Sequence, residues 1–390
     1  MSLPLHGIRV VECGSYVAAP SAGMALAQLG AEVIRIDPPG GGSDIARWPL
    51  SPEGPSLFWA NLNKGKRSVT IDYRSTEGRD LLLSLATAPG SGAGILIDNM
   101  VGRHSLRYEE LVARRPDMIH VHVQGRSDGT PAVDYTVNAE VGVPQMTGPE
   151  HSEAPVNHVV PAWDLLAGMN VATAVLAAVH RRSGSGRGSR VDVALADVAL
   201  SGVGSMGWLA EAEAQGGPRR RHGNHMFGSF GVDFETEDGR RLMVVALTEG
   251  QWRALREVTE TAQVFAAMEK VLSADLDLEA DRYRLRETIA AVLRPWFSQR
   301  PYAVVRELLD RAHVLWSPYT DMGEAARLAR ESRASVAGEI DQPGIGPMLA
   351  TGGPMRWDGV RGSIEPAPLL GADTECVLAE IVGPTREGGR

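Results

Sequence analysis

The chain has 390 residues, of which 43% are hydrophobic and 22% charged, and its net charge is −9. Such a length suggests two domains and a core that needs no disulfide or metal staple, while the negative balance argues against a general binder of nucleic acid or membrane surfaces. Cys13 and Cys376 have no metal-ligand spacing, and neither a signal segment nor an apolar run of the ~20 residues a membrane helix needs is visible, so a soluble cytoplasmic protein without bound metal is the expectation.

Ile8–Glu12 reads as a strand, Pro20–Leu29 as a helix stopped by Gly30, and Glu32–Ile36 as a second strand. Ser68–Asp72 and Thr76–Thr87 repeat the pair. Gly94–Asp98 and Met118–Val123 are short apolar runs bounded by polar turns. Strands alternating with helices predict an α/β domain with a largely parallel sheet. After Pro161-Ala-Trp-Asp164 a long helix is predicted, with Leu165, Met169, Ala172, Val175, Leu176 and Val179 on one stripe. Its many small residues, Gly168 among them, predict a closely packed neighbour, and His180-Arg-Arg182 suit its C-terminus. The glycine-rich turn Ser183–Gly188 leads to a strand at Val191–Leu195, and Asp197 is placed to cap the next helix.

The composition changes after about residue 215, where Gly216-Gly-Pro218 reads as a linker. Phe230–Glu235 and Arg241–Leu247 flank Asp238-Gly239, a hairpin signature because the turn needs positive φ. Gln251–Val258, Glu279–Phe297 and Pro301–His313 follow as helical segments. The expected organisation is a large α/β domain over 1–215, a smaller α+β domain over 216–330, and a Pro/Gly-rich segment, 331–390, that returns to the first and carries a helix at Thr374–Val382.

Two features invite chemistry, and both have plain alternatives. Gly40-Gly-Gly-Ser43 follows a strand and would suit either a phosphate cradle or a flexible loop. Asp164 directly before a helix suits an N-cap or a carboxylate nucleophile. His151, His158, His222 and His225 lack zinc-protease spacing, and no Gly-x-Ser-x-Gly elbow occurs. Only three of the 39 basic residues are lysines, and two of them, Lys64 and Lys66, fall within Asn61-Leu-Asn-Lys-Gly-Lys-Arg67.

The motifs resemble those of the class III CoA-transferases, the CaiB/BaiF type. Carrying the resemblance are Leu5-x-Gly-Ile-Arg-Val-Val-Glu12, Leu29-Gly-Ala-Glu-Val-Ile-Arg-Ile-Asp37, Asn63-Lys-Gly-Lys-Arg-Ser68 and His180 through Asp197. Gln342-Pro-Gly-Ile-Gly346 and Pro366-Ala-Pro-Leu-Leu-Gly371 complete it. Four stretches, Ser56–Arg67, Asp134–Asn138, Val156–Asp164 and Gly223–Gly231, resemble members that move CoA between the C1 and C4 carboxyls of mesaconate. The resemblance implies a Rossmann-like large domain with a smaller α+β domain, in an interlocked homodimer acting on a small-molecule acyl-CoA.

By the same resemblance Asp164 is the catalytic nucleophile, passing through an aspartyl-CoA thioester. Tyr16, Val17, Ala18, Asn99 and Met100 are implied to line the coenzyme A site, with Arg35, Lys64, Lys66, Arg103, Arg107 and Arg126 as further contacts to its phosphates and pantetheine. Where some members carry a lysine before Gly125, this chain has Gln124. The substrate's free carboxylate calls for Arg47, Tyr135, Asn138, His158, His222 or Asn224, and the backbone from Gly228 to Gly231 suits an oxyanion. Related racemases pair the aspartate with a histidine in a Gly-His-Asp stretch. Here the matching residues are Ala132-Val133-Asp134, so that two-base chemistry lacks one partner. Transfer between two different dicarboxylic acids is the alternative enzyme reading, and a non-catalytic CoA- or nucleotide-binding protein the alternative of another class.

Overall fold

The structure, a computed structural model, describes residues 3–102, 105–332 and 334–383. In chain order the first elements are β1 (Arg9–Cys13), α1 (Ala18–Gln28), β2 (Glu32–Asp37), α2 (Leu57–Leu62), β3 (Arg67–Thr70) and α3 (Thr76–Ala86). Then come β4 (Ile95–Asp98), α4 (Tyr108–Arg114), β5 (Ile119–Gln124), α5 (Asp134–Glu140), α6 (Val143–Met146), α7 (Ala162–Ser185) and β6 (Ser189–Ala194). They are followed by α8 (Leu195–Ser205), α9 (Trp208–Gln215), β7 (Phe230–Glu235), β8 (Arg241–Ala246), α10 (Glu249–Val258) and α11 (Ala262–Leu272). The remainder is α12 (Glu279–Arg284), α13 (Arg286–Ser298), α14 (Tyr302–Arg311), β9 (Leu315–Pro318), α15 (Met322–Glu331), β10 (Ala337–Gln342), β11 (Gly346–Thr351) and α16 (Thr374–Ile381).

The chain divides into two compact units. One takes in the described residues of Met1–Val141, His158–Glu211 and Ala326–Arg390, and the other Gly142–Asn157 and Ala212–Ala325. The smaller unit thus includes 142–157, a stretch that sequence reading kept within the large domain.

The larger unit is built on a six-stranded parallel sheet of order β3-β2-β1-β4-β5-β6. Successive strand residues point to opposite faces. Val10, Val33 and Ile95 therefore join one core with Leu26 of α1 and Val171 and Val175 of α7. Val11, Ile34 and Leu96 join the other with Leu82 and Leu85 of α3, Leu111 of α4 and Val377 of α16. Both faces are covered, which is why these strands read as near-continuous apolar runs. Strand order reverses between β1 and β4, and open α/β sheets bind ligands outside the carboxyl ends of their strands at that switch point. Those ends are Cys13 and Asp98, which are in register.

α7 extends further than its sequence suggests, from Ala162 past His180-Arg-Arg182 to a left-handed Gly186. Its small face meets α1: a Cβ at Gly168 would lie 2.1 Å from Ser21 Oγ and 2.9 Å from the Ala18 carbonyl oxygen. It is also long and apolar enough to cross a membrane by length and composition, which sequence reading did not anticipate. α8 begins at Leu195, so Asp197 lies in its first turn rather than at its cap. The tail lies along β3: Ser68 N donates to Asp373 Oδ2 and Thr70 N to Thr374 Oγ1.

The smaller unit carries the antiparallel sheet β7-β8-β9. Its β7–β8 turn places Gly239 at φ 75°, as the Asp-Gly signature requires. Phe230, Phe234, Trp252, Phe265, Leu293 and Phe297 fill its core. The helical stretch predicted over 279–297 breaks at Leu285 into α12 and α13.

Candidate active site

The N-terminus of α7 sets the geometry. Pro161 occupies the cap position and has no side-chain acceptor to offer. The first-turn amides are satisfied from α5 instead: Asp134 Oδ2 accepts from Trp163 N at 2.8 Å and from Asp164 N at 3.1 Å. Asp164 is therefore the third residue of the helix, not its cap. Its carboxylate is half-buried and accepts no hydrogen bond from a described residue. Burial raises its pKa to about 6, the Asp134 charge adds to the rise, and Arg47 opposes it. The other Asp134 oxygen accepts from His158 Nε2 at 2.8 Å, and the imidazole packs edge-on to Tyr135 and tilted against Trp163. Asn138 is fully buried and its carbonyl accepts from the Trp163 indole. It braces Trp163. The Tyr135 hydroxyl donates to the Val159 carbonyl.

Arg47 lies over the rings of Tyr16 and Phe58, each 5.3 Å away, and has no ion-pair partner among the described residues. Tyr16 itself holds a left-handed φ of 68°, with its amide donating to Asp44 Oδ2. A polar hollow of about 420 Å³ is lined by Tyr16, Ser43, Ala46, Arg47 and Trp48. A second cavity, about 570 Å³ and mostly apolar, is bounded by Val17, Leu57, Phe58 and Asn61, and by Pro161 and Leu165 on either side of Asp164 in sequence. Ala18 is buried in the sheet-side core.

The two lysines part company. Lys66 Nζ lies 2.8 Å from both Glu12 carboxylate oxygens and 2.9 Å from the Pro20 carbonyl and Asn63 Oδ1, with no side-chain exposure. Arg35 is equally enclosed, bonded to Asp37, Asp44 and Asn63. Both cations are internal ties, their donors taken up by carboxylate, amide and carbonyl oxygens. Lys64 is different. It is no less buried, at 3% exposure, but among the described residues its ammonium bonds Asn61 Oδ1 alone, at 3.1 Å, and burial pushes its pKa down to about 8. Asn61 also lines the apolar cavity. The glycine loop lies against a paired cluster: a Cβ on Gly42 would sit 3.0 Å from Asp37 Oδ1 and 3.1 Å from Asp44 Oδ1, carboxylates that Arg35 already holds.

At the switch point Asn99 ties the two loops together, accepting from Ser15 N and donating to the Ser15 carbonyl. Met100 packs on the core beneath. Arg107 is 73% exposed, held by Glu110 at the start of α4. Arg126 is engaged by Glu140 and the Pro131 carbonyl. Gln124 ends β5 in register with Ala194. Arg103 lies outside the described residues.

Beside Asn99, Asp98 accepts from His120 Nε2 and His122 Nδ1, both at 2.6 Å. Their ligand atoms are close enough to share a metal ion, and here they are joined by these two hydrogen bonds. Burial raises the Asp98 pKa, and the two imidazole bonds outweigh it and leave it below the usual carboxylate range. The Asp98 bond raises the His122 pKa above its ordinary 6.5 against the opposing effect of burial. A raised folded-state pKa stabilises fully below the unfolded value and fades as pH climbs through the folded one. His122→Asn should therefore lower the thermal midpoint more at about pH 6 than at about pH 8.5; equal losses at both would contradict the linkage.

In the smaller unit, His222 Nε2 meets the Tyr283 hydroxyl at 2.9 Å and its Nδ1 faces Arg286 at 3.3 Å. Burial lowers its pKa, and Arg286 adds to the fall. Asn224 Nδ2 donates to Asp233 Oδ1, and Gly228 takes φ 80°.

Residues 5–374 match CoA-transferase family III. The chain belongs to that family. It is 47% identical to the 2-methylfumaryl-CoA isomerase of Chloroflexus aurantiacus, covering 97% of this chain and 94% of the relative. It is 27% identical to a succinyl-CoA:mesaconate CoA-transferase of Haloarcula marismortui, covering 90% and 88%. A CaiB/BaiF family protein from Brucella suis shares the fold, with a TM-score of 0.79, 23% identity, and coverage of 97% of this chain and 100% of the other.

Two features of this CoA-transferase escaped sequence reading. One is Asp134 as the acceptor for α7. A proline at the cap position was its only signal, since a helix without a side-chain cap needs an acceptor from elsewhere. The other is the apolar cavity, whose wall includes Met348 and Leu349 of β11, nearly two hundred positions from Pro161 in sequence.

Proposed function

We propose that this enzyme moves CoA from the C1 to the C4 carboxyl of mesaconate within a single bound substrate, with Asp164 as nucleophile. One observation carries the reading: Asp164 is a half-buried carboxylate, unbonded by any described residue, in the first turn of α7, whose Pro161 and Leu165 line an apolar cavity. An anion in that setting is poorly stabilised and correspondingly nucleophilic.

The Asp164 carboxylate attacks the C1 thioester carbonyl. The C–S bond breaks, giving an aspartyl–mesaconyl anhydride and CoA thiolate. The thiolate attacks the aspartyl carbonyl, releasing mesaconate and leaving an aspartyl-CoA thioester. The C4 carboxylate then attacks that thioester, and thiolate attack at C4 of the new anhydride frees Asp164. No second acid is consumed. Arg47, a cation with no ion-pair partner among the described residues and steadied by Tyr16 and Phe58, is suited to hold the carboxylate that is not reacting. The apolar cavity suits the pantetheine arm, and Lys64, buried and bonded to the cavity-lining Asn61, suits an anionic group of CoA.

The family resemblance also supports a homodimer. Leu165, Leu166, Met169 and Leu176 of α7 and Leu200 of α8 are all exposed, apolar surface that a second copy would cover. An acyl-CoA substrate fits a cytoplasmic protein. The test is to incubate purified enzyme with mesaconyl-C1-CoA alone. Formation of mesaconyl-C4-CoA without an added acid is expected; strict dependence on an added dicarboxylic acid would replace this reading with intermolecular transfer.

A further inference from the structure

We propose that Asp134 is the positioning residue of the nucleophile: one buried carboxylate holds the α7 amides through Oδ2 and His158 through Oδ1, fixing Asp164 and setting the charge it works against. The inference rests on the reading of Asp164 as nucleophile and deepens it.

The argument starts from the helix end. The first amides of a helix carry partial positive charge and would stabilise a carboxylate placed there. Asp164 sits in that first turn, yet the amides of Trp163 and of Asp164 itself both donate to Asp134. Asp134 thus takes the donors that would otherwise quench Asp164. It is only 2% exposed, so its own charge is poorly screened by solvent. Two adjacent carboxylates disfavour the state in which both are ionised. Acylation removes the Asp164 charge, so Asp134 biases the site towards the anhydride and the aspartyl thioester. The His158 N–H offsets part of the Asp134 charge and keeps it tolerable in the interior.

The groups facing Asp164 and its neighbour are Asp134 and Tyr135 from α5, His158 from the segment before α7, and Arg47 from the loop before α2. Removing the Asp134 charge while keeping an acceptor oxygen lets Asp164 ionise more easily. Asp134→Asn should move the acidic limb of the kcat/KM profile down by about half a pH unit or more. It should lower kcat by roughly 10-fold, because a less basic carboxylate is a weaker nucleophile, and leave KM within about twofold. His158→Phe keeps the Asp134 charge and removes its donor, so the limb should move up. An unshifted limb in folded Asp134→Asn, or shifts of the same sign in both variants, would overturn the assignment.

The profiles are read on whichever turnover the wild type performs, isomerisation alone or transfer to an added acid. If the wild type performs neither, the functional reading fails. The role of Asp134 is then read by 13C NMR titration of the Asp164 carboxyl in wild type and both variants, with the same signs expected. Should Asp134→Asn fail to fold, the sign of the His158→Phe shift decides.

Discussion

Asp164→Ala is expected to lower turnover of mesaconyl-CoA by roughly 10^4-fold or more, because it removes the carboxylate proposed to take up the acyl group. Asp164→Asn should be nearly as inactive, since an amide is not a comparable nucleophile. In the wild type, hydroxylamine should trap the activated Asp164 carboxyl as a hydroxamate in the presence of mesaconyl-CoA, and mass spectrometry should find the adduct on the peptide containing Asp164. The pH profile follows from the same residue. Burial and the Asp134 charge raise its pKa to about 6. The nucleophilic form is the ionised one, so kcat/KM should fall as pH drops through that value. Normal turnover by Asp164→Ala would sink the scheme outright.

The second large effect concerns stability. Lys66→Met should destabilise the larger unit by about 3–5 kcal/mol, the range for leaving one member of a buried ion pair uncompensated. Its removal leaves the Glu12 carboxylate fully buried, with the Arg35 guanidinium 3.9 Å away as its remaining counter-ion. Burial already raises the Glu12 pKa, and burial lowers that of Lys66 to about 8, so the pair is under tension even when intact. Lys66→Arg should not substitute. The ammonium occupies a point between Glu12, Pro20 and Asn63, and a planar fork needs more room. Glu12→Gln combined with Lys66→Met should recover much of the loss by removing both charges. Thermal unfolding followed by circular dichroism reads all three variants; a Lys66→Met midpoint equal to wild type would refute the role.

The alternation of strands and helices was legible because parallel strands covered on both faces leave continuous apolar runs, and helices leave a 3.6-residue stripe. Helix ends were less legible. α7 runs beyond His180-Arg-Arg182 because Arg182 is buried and donates to the Ala93 carbonyl, a tie across some ninety residues that no local pattern reveals. The site divides in the same way. Asp164 stood out only through family resemblance, since an acidic residue near a helix start is usually a cap. What makes it special is that another residue caps in its place, thirty positions earlier. Sequence spacing places Lys64 and Lys66 together, and the fold buries both, one against Glu12 and the other against Asn61. The glycine run left cradle and loop both open, because no local pattern shows that Asp37, Asp44 and Arg35 gather beside it.

The union of β3 with the tail has a consequence for how the protein is made. Ser68 and Thr70 find their partners in Asp373 and Thr374, which are translated some three hundred residues later. At ~5–20 residues per second the delay is about 15–60 s. Throughout that interval the outer strand of the nascent sheet has unpaired backbone groups, a ready template for another chain. Polysomes carrying several half-made copies bring such edges close together, so the tail acts as a late seal. Slow elongation near the 3′ end of the message should therefore favour aggregation of this protein more than slow elongation near its start.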